Sequence, residues 1–229
     1  SKGPFPRTAA MKKSKKAPRR RPASKKARKK LPAPAPMASS APPPATASVD
    51  ELGGAMTALQ SGRPQEAFGL CGQVLAQEPD NADALNLAGV AVFQMGDAAE
   101  ARSLLETAIA FRPGFADAHN NLGNVLKATG DIADAEVQYR RALEARPGYG
   151  DAEYNLGITL EAQGRFADAE ASYRRCLNMD TGSAPAHFNL GNVLKALGRL
   201  DEAVAAYQRA LEINPDLFEA RNNLGSVEM

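Results

Sequence analysis

The sequence predicts an all-α solenoid preceded by a basic segment that builds no core, and three observations carry that prediction. First, from about Ser48 the chain repeats itself every 34 residues: Gly62, Gly96, Gly130, Gly164 and Gly198 keep that spacing, and so do Ala67, Ala101, Ala135, Ala169 and Ala203. Second, within each period the apolar residues fall at helical spacing on two successive faces. Third, the charge changes abruptly: residues 1–47 hold 14 Lys and Arg and no acid, whereas the remainder sets the other 14 bases against all 26 acids. The formal total of +2 thus hides a tail of +14 and repeats of −12.

The tail concentrates its charge in Lys12, Lys13, Lys15, Lys16, Arg19, Arg20, Arg21, Lys25, Lys26, Arg28, Lys29 and Lys30. Bases at this density bind polyanions such as nucleic acid by counterion release. With no aromatic among them to stack on a base, the binding is expected to be weak and without sequence preference. Leu31 to Ala47 is a Pro/Ala-rich linker. Nothing in residues 1–47 can bury a core, so disorder is expected there.

The repeats run 48–81, 82–115, 116–149, 150–183 and 184–217, followed by a partial repeat or cap at 218–229. The first is the most degenerate, with Gly53-Gly54 and Cys71 where later copies place Asn-Leu and Tyr. The third shows the logic best. Ala118, Leu122, Val125 and Leu126 lie on one face of a first helix, Thr129-Gly130-Asp131 breaks it, and Asp131 with Asp134 is positioned to cap the second. Ala135, Tyr139, Ala142 and Leu143 form the second apolar face, and Arg146-Pro147-Gly148 stops that helix. Gly123 and Ala135 lack bulk, as a close helix crossing requires. The fourth repeat ends in Thr181-Gly182 where the others have Pro, so its exit turn must differ. One such hairpin buries too little to stand alone, and neighbours must stack.

Further positions keep step: Gly89, Gly123, Gly157, Gly191 and Gly225; Leu122, Leu156, Leu190 and Leu224; Tyr139, Tyr173 and Tyr207; Ala108, Ala142 and Ala210; Pro79, Pro113, Pro147 and Pro215. This pattern, in register over residues 48–229, resembles the tetratricopeptide repeat. The resemblance implies a right-handed superhelix of antiparallel helix pairs whose first helices line a concave groove for a peptide or partner protein.

Asn121, Asn155, Asn189 and Asn223 recur on the first helix. Asn is a mediocre helix former, so its recurrence wants a reason. These four resemble the asparagine ladder of O-linked N-acetylglucosamine transferase, which implies amides that grip the backbone of an extended peptide. An amide donates and accepts at once, so such a grip tolerates any side chain. The segment NLGNVLKA occurs twice, at Asn121–Ala128 and Asn189–Ala196, and adds Asn124, Lys127, Asn192 and Lys195 to the peptide-binding set. Block duplication of a functionless surface would copy the same residues. Asp83, Asp117, Asp151 and Glu219 recur at the start of the first helix, where acids favour the helix dipole; on a groove rim they would favour a basic ligand. A carboxylate clamp of the chaperone-binding kind is disfavoured, because the matching positions carry Asn86, Asn120, Tyr154, Asp117 and Asp151 rather than Lys and Arg.

No phosphate loop, HExxH, CxxC or nucleophile elbow occurs. His119 and His187 share one repeat position, and Cys71 and Cys176 stand where other repeats place Tyr, Leu or Ala; all four read as structural. No catalytic residue, metal site or cofactor is expected. No apolar run is long enough for a membrane span and no signal-peptide core follows the basic stretch, so a cytoplasmic protein is expected, or a nuclear one in a eukaryote. The chain opens on Ser1 and stops one helix into a repeat, as a fragment would, with Met11 a candidate start. The leading expectation is a non-enzymatic interaction scaffold of unknown oligomeric state. The alternatives are the recognition part of a larger transferase, such as a glycosyltransferase, and a nucleic-acid-associated protein acting through its tail.

Overall fold

The structure, a computed structural model, describes the backbone of residues 45–227 and the side chains of 49–227. The bases between Lys12 and Lys30 lie outside the described residues. Among the described residues eleven α-helices follow one another with no strand. They are α1 (Ala45–Gln60), α2 (Pro64–Leu75), α3 (Ala82–Gln94), α4 (Ala98–Phe111), α5 (Ala116–Thr129), α6 (Ile132–Ala145), α7 (Gly150–Ala162), α8 (Phe166–Met179), α9 (Ala184–Ala196), α10 (Leu200–Ile213) and α11 (Phe218–Val227). Each 34-residue period is one odd-numbered helix followed by one even-numbered helix, and α1 begins at Ala45, slightly ahead of Ser48.

Each helix packs on the next in sequence, and the backbone of each odd helix also approaches that of the next odd helix, whereas no two even helices come as close. Stacked units that approach along one layer and spread along the other curve toward the closer layer. The odd helices therefore form the inner face of the solenoid and the even helices its outer face.

The apolar faces meet as the spacing predicts. Ala118, Leu122, Val125 and Leu126 of α5 and Ala135, Tyr139 and Ala142 of α6 are all buried. The crossing of each pair is set by one size-matched contact. A Cβ built on Gly123 would lie 2.5 Å from Tyr139 Cε1, on Gly157 2.6 Å from Tyr173 Cε1, and on Gly191 2.6 Å from Tyr207 Cε1. In the second repeat the partner of Gly89 is the smaller Leu105, and in the first repeat these positions carry Ala55 and Cys71, both fully buried in one cluster. Where the odd helix carries a methyl group, the even helix carries a smaller side chain. Gly225 of α11 has no atom within 4 Å of such a Cβ.

Local signals also account for the helix ends. Gly130 closes α5 in the left-handed conformation at φ 90°, which costs glycine nothing. Asp131, however, makes no capping hydrogen bond to α6; its carboxylate instead accepts from Thr129 Oγ1 at 3.2 Å. The helix that an aspartate does cap is α4, where Asp97 accepts from the Glu100 amide at 3.0 Å. The irregular exit of the fourth repeat is closed by Asp180, which accepts from the Gly182 amide at 2.9 Å, and Ser183 then caps α9. Neighbouring even helices are bridged at their edges by long-armed ion pairs that also repeat at 34: Arg165 to Glu136 at 2.8 Å and Arg199 to Glu170 at 2.7 Å.

Cys71 and Cys176 are buried free thiols, each pushed up to about 11 by burial. His119 is buried between Gln138 Oε1 at 2.8 Å and the Pro113 carbonyl at 2.9 Å. At the equivalent position Glu153 is buried against Arg175 at 2.6 Å, and His187 bonds the Thr181 carbonyl. No group of three metal-ligating side chains converges among the described residues, and no described helix is long and apolar enough to cross a membrane.

Candidate functional site

The inner face carries three rows of side chains at 34-residue spacing, and the candidate peptide-binding residues fall in them. The first row is Asn121, Asn155, Asn189 and Asn223, all half-buried. Their amide nitrogens reach back to the preceding odd helix: Asn121 donates to Asn86 Oδ1 at 2.9 Å, Asn155 to Asn120 Oδ1 at 3.1 Å, and Asn189 to the Tyr154 hydroxyl at 3.2 Å. Asn223 donates to Asn192 Oδ1 at 2.8 Å. Each amide thus ties two repeats together with one N–H and retains a second. The carbonyl oxygens of Asn121, Asn189 and Asn223 accept no hydrogen bond from described residues, whereas Asn155 Oδ1 accepts from Lys127 Nζ at 3.3 Å.

The second row is Val90, Asn124, Ile158, Asn192 and Ser226. Asn124 Oδ1 accepts the Tyr139 hydroxyl at 2.8 Å, and Asn192 Oδ1 accepts the Tyr207 hydroxyl at 2.9 Å. These amides satisfy the phenols whose rings lie against Gly123 and Gly191, so they serve the helix crossing first and leave their nitrogens free. In the fourth repeat Ile158 has no such group, and the Tyr173 hydroxyl donates to Glu161 Oε2 at 2.9 Å instead.

The third row is Phe93, Lys127, Glu161 and Lys195. Lys127 is half-buried, its pKa lowered by desolvation, and its ammonium lies 5.8 Å from the centroid of the Tyr139 ring. Burial raises the carboxyl of Glu161, with the Tyr173 hydrogen bond opposing. Lys195 is exposed and donates to Ser226 Oγ at 2.7 Å. Phe93 helps to line a hollow of about 230 Å³ between α3 and α5 with Val90, Gln94, Leu105, Asn121, Asn124 and Val125. Phe93 and Glu161 escape a reading that follows the repeated NLGNVLKA segment; reading down the column of Lys127 finds both.

Two of the acids at the start of the odd helices, Asp83 and Asp117, are already paired within their own repeats. Arg112 clasps Asp83 with both terminal nitrogens at 3.0 and 2.6 Å, and Arg146 clasps Asp117 at 2.9 and 2.6 Å. The two guanidinium groups lie over Phe115 and Tyr149, at 4.5 and 4.6 Å from the ring centroids. These are clamps between the two ends of one repeat, and they neutralise the charge that was to attract Lys or Arg. Asp151 has no such clamp, because Asp180 stands where Arg112 and Arg146 stand in their repeats.

Paired helices at a 34-residue period, with the odd helices as an inner layer carrying aligned polar rows, define an α-helical repeat protein. Three family models agree: those described as tetratricopeptide repeat match residues 58–122 and 114–182, and one described as TPR repeat matches 191–227. The chain belongs to the tetratricopeptide-repeat family. A search of curated proteins finds no match. Among solved structures it is similar to a thermophilic tetratricopeptide-repeat protein of Thermus thermophilus, at 22% identity and a TM-score of 0.63 over 79% of this chain and 98% of that one. It is likewise similar to MamA, at 24% identity and 0.62 over 70% and 94%. YrrB, described as a TPR protein with an unusual peptide-binding site, aligns at 21% identity and 0.61 over 76% and 90%.

Proposed function

We propose that this chain is a protein-interaction scaffold that holds an extended peptide or a segment of a partner protein along its inner face. The observation that carries this reading is the row of half-buried asparagines. After each has tied its repeat to the one before, three keep an unbonded carbonyl oxygen and all four keep a second N–H. Paired donors and acceptors of this kind match the N–H and C=O groups of an extended backbone. The peptide-binding site described for YrrB supports a peptide as the class of ligand. The test is selection of random twelve-residue peptides displayed on phage against the full chain. Enriched peptides should lose most of their affinity for an Asn155→Ala/Asn189→Ala variant and keep it for Val137→Ala/Gln208→Ala, which changes α6 and α10. Equal loss in both variants, or none in either, refutes the reading.

A second reading concerns the tail, and the density of bases between Lys12 and Lys30 favours it: residues 1–47 bind polyanions independently of the groove. Affinity for a random-sequence oligonucleotide should fall steeply with added salt. Removing residues 1–47 should abolish it, and undiminished binding without them would refute it.

A further inference from the structure

Among the described residues the molecule handles its two kinds of base differently. Twelve arginines and two lysines lie in residues 49–227. Ten of those arginines pair with a carboxylate, and every ion pair is made by an arginine. The two lysines, Lys127 and Lys195, have no carboxylate partner, and both stand in the third row of the inner face. Between them in that row stands Glu161, whose bonding partner is the neutral phenol of Tyr173. Among the described residues, where ten of the twelve arginines are paired, the third row thus presents three charges in line, plus, minus, plus, with no ion-pair partner. Lys127 and Glu161 are half-buried, and half-buried charges left in this way are costly unless something completes them. The same row opens with Phe93 at a hollow lined mainly by apolar side chains.

We infer that the inner face selects an extended protein segment carrying, in order along one edge, an apolar side chain for the Phe93 hollow, an acidic one for Lys127, a basic one for Glu161 and an acidic one for Lys195. This rests on the groove reading proposed above and adds a charge code to it. The asparagines hold backbone and are blind to sequence; the third row reads side chains, one per repeat. Opposite charges at the matching positions complete the row, and a peptide of inverted charge meets a like charge at three points, which is the stronger half of the discrimination. The clamping of Asp83 and Asp117 by arginine weakens the competing preference for a uniformly basic ligand.

The test uses the displayed random peptides on three full-length proteins: wild type, Lys127→Glu/Lys195→Glu, and Asn155→Ala/Asn189→Ala. All carry residues 1–47, so whatever acidic peptides the tail retains appear equally in all three. Far-UV circular dichroism verifies the fold, and Lys127→Gln/Lys195→Gln replaces the charge reversal if the latter unfolds. The expected result is enrichment by wild type of peptides with two acids flanking a base. A synthetic peptide of the enriched sequence should bind the lysine variant about tenfold or more weakly, and Glu161→Lys should exchange the central base for an acid. Peptides enriched without acid preference, unaffected by the lysine changes yet lost with the asparagines, overturn the charge code and leave the groove reading standing. Peptides retained equally by all three proteins, or no enrichment at all, overturn both.

Discussion

Replacing Gly157 by alanine tests the claim that the glycine–aromatic contact sets the helix crossing. The added Cβ would lie 2.6, 2.8 and 2.9 Å from Cε1, Cδ1 and Cζ of Tyr173, roughly 1 Å inside the usual carbon–carbon contact of about 3.5–4.0 Å. The ring has little room to retreat. It is fully buried, packs at a tilt 6.0 Å from the Tyr154 ring, and its hydroxyl is held by Glu161 at 2.9 Å. Overpacking of this kind costs about 1–3 kcal/mol, while exchanging glycine for alanine inside a helix returns up to about 1 kcal/mol. With a ring that cannot yield, the net expected loss is about 1–2 kcal/mol, read as a lowered urea midpoint by circular dichroism. Gly225→Ala is the internal control: the same substitution at the equivalent position meets nothing within 4 Å and should be neutral or stabilising. Adding Tyr173→Cys to Gly157→Ala recreates the Ala55 and Cys71 pairing of the first repeat, so the double change should cost about 1–2 kcal/mol less than the sum of the singles. Strict additivity, or a Gly157→Ala protein as stable as wild type, would refute the reasoning.

Asn155→Ala removes the donor from Asn120 Oδ1, which is buried, and should cost about 0.5–1.5 kcal/mol of stability in the same assay. Asn223→Ala should cost less, because Asn192 Oδ1 keeps the Tyr207 hydroxyl. Burial opposes ionisation of Glu136, Glu170 and Asp117, but hydrogen bonds and charge from Arg140, Arg165, Arg174, Arg199 and Arg146, with amide and phenol donors, outweigh it and hold all three below the ordinary range. A depressed folded pKa contributes stability that is complete above the unfolded value, about 4–4.5, and is lost as pH falls through the folded one. Urea midpoints should therefore fall steadily on acidification below pH about 4.5, and Glu136→Gln should flatten that slope. Glu161 has the opposite sign: its raised pKa favours the protonated folded state, so stability is lost as pH rises through it, and Glu161→Gln should raise the midpoint at pH about 7 rather than lower it.

Most of the fold was legible because period and apolar spacing specify it twice over. The paired helices, the buried Ala135 and the place of Gly130 all follow from which side chains are small, apolar or free to adopt positive φ. Less of the site was legible. The recurrence of Asn155 is visible in the sequence, but its bond to Asn120 joins positions 35 apart and exists only once two repeats are stacked. Asp117 gave a local signal, an acid in a first turn, and that signal is correct as far as it goes. What it omits is Arg146, which returns from the far end of the same repeat to neutralise it. Asp131 went the other way, since a good capping residue lost its backbone target to Thr129. For Asn155 and Asp117 the missing partner is brought in by the fold of the chain back on itself, from 35 and 29 residues away, whereas Asp131 is diverted by a neighbour only two residues off.

The division of labour between arginine and lysine has a consequence for reagents that recognise amines. Acylating groups attack the neutral amine of lysine and leave guanidinium groups alone. Within residues 49–227 such chemistry finds only Lys127 and Lys195, both on the inner face, and leaves the arginine pairs that brace the stack intact. Lys127, its pKa lowered by desolvation, exposes more of the reactive form at a given pH than a free lysine does. Acetylation would therefore strip the positive charges from the third row without touching an ion pair, so that the surface changes its preference while the repeats beneath it keep their grip on one another.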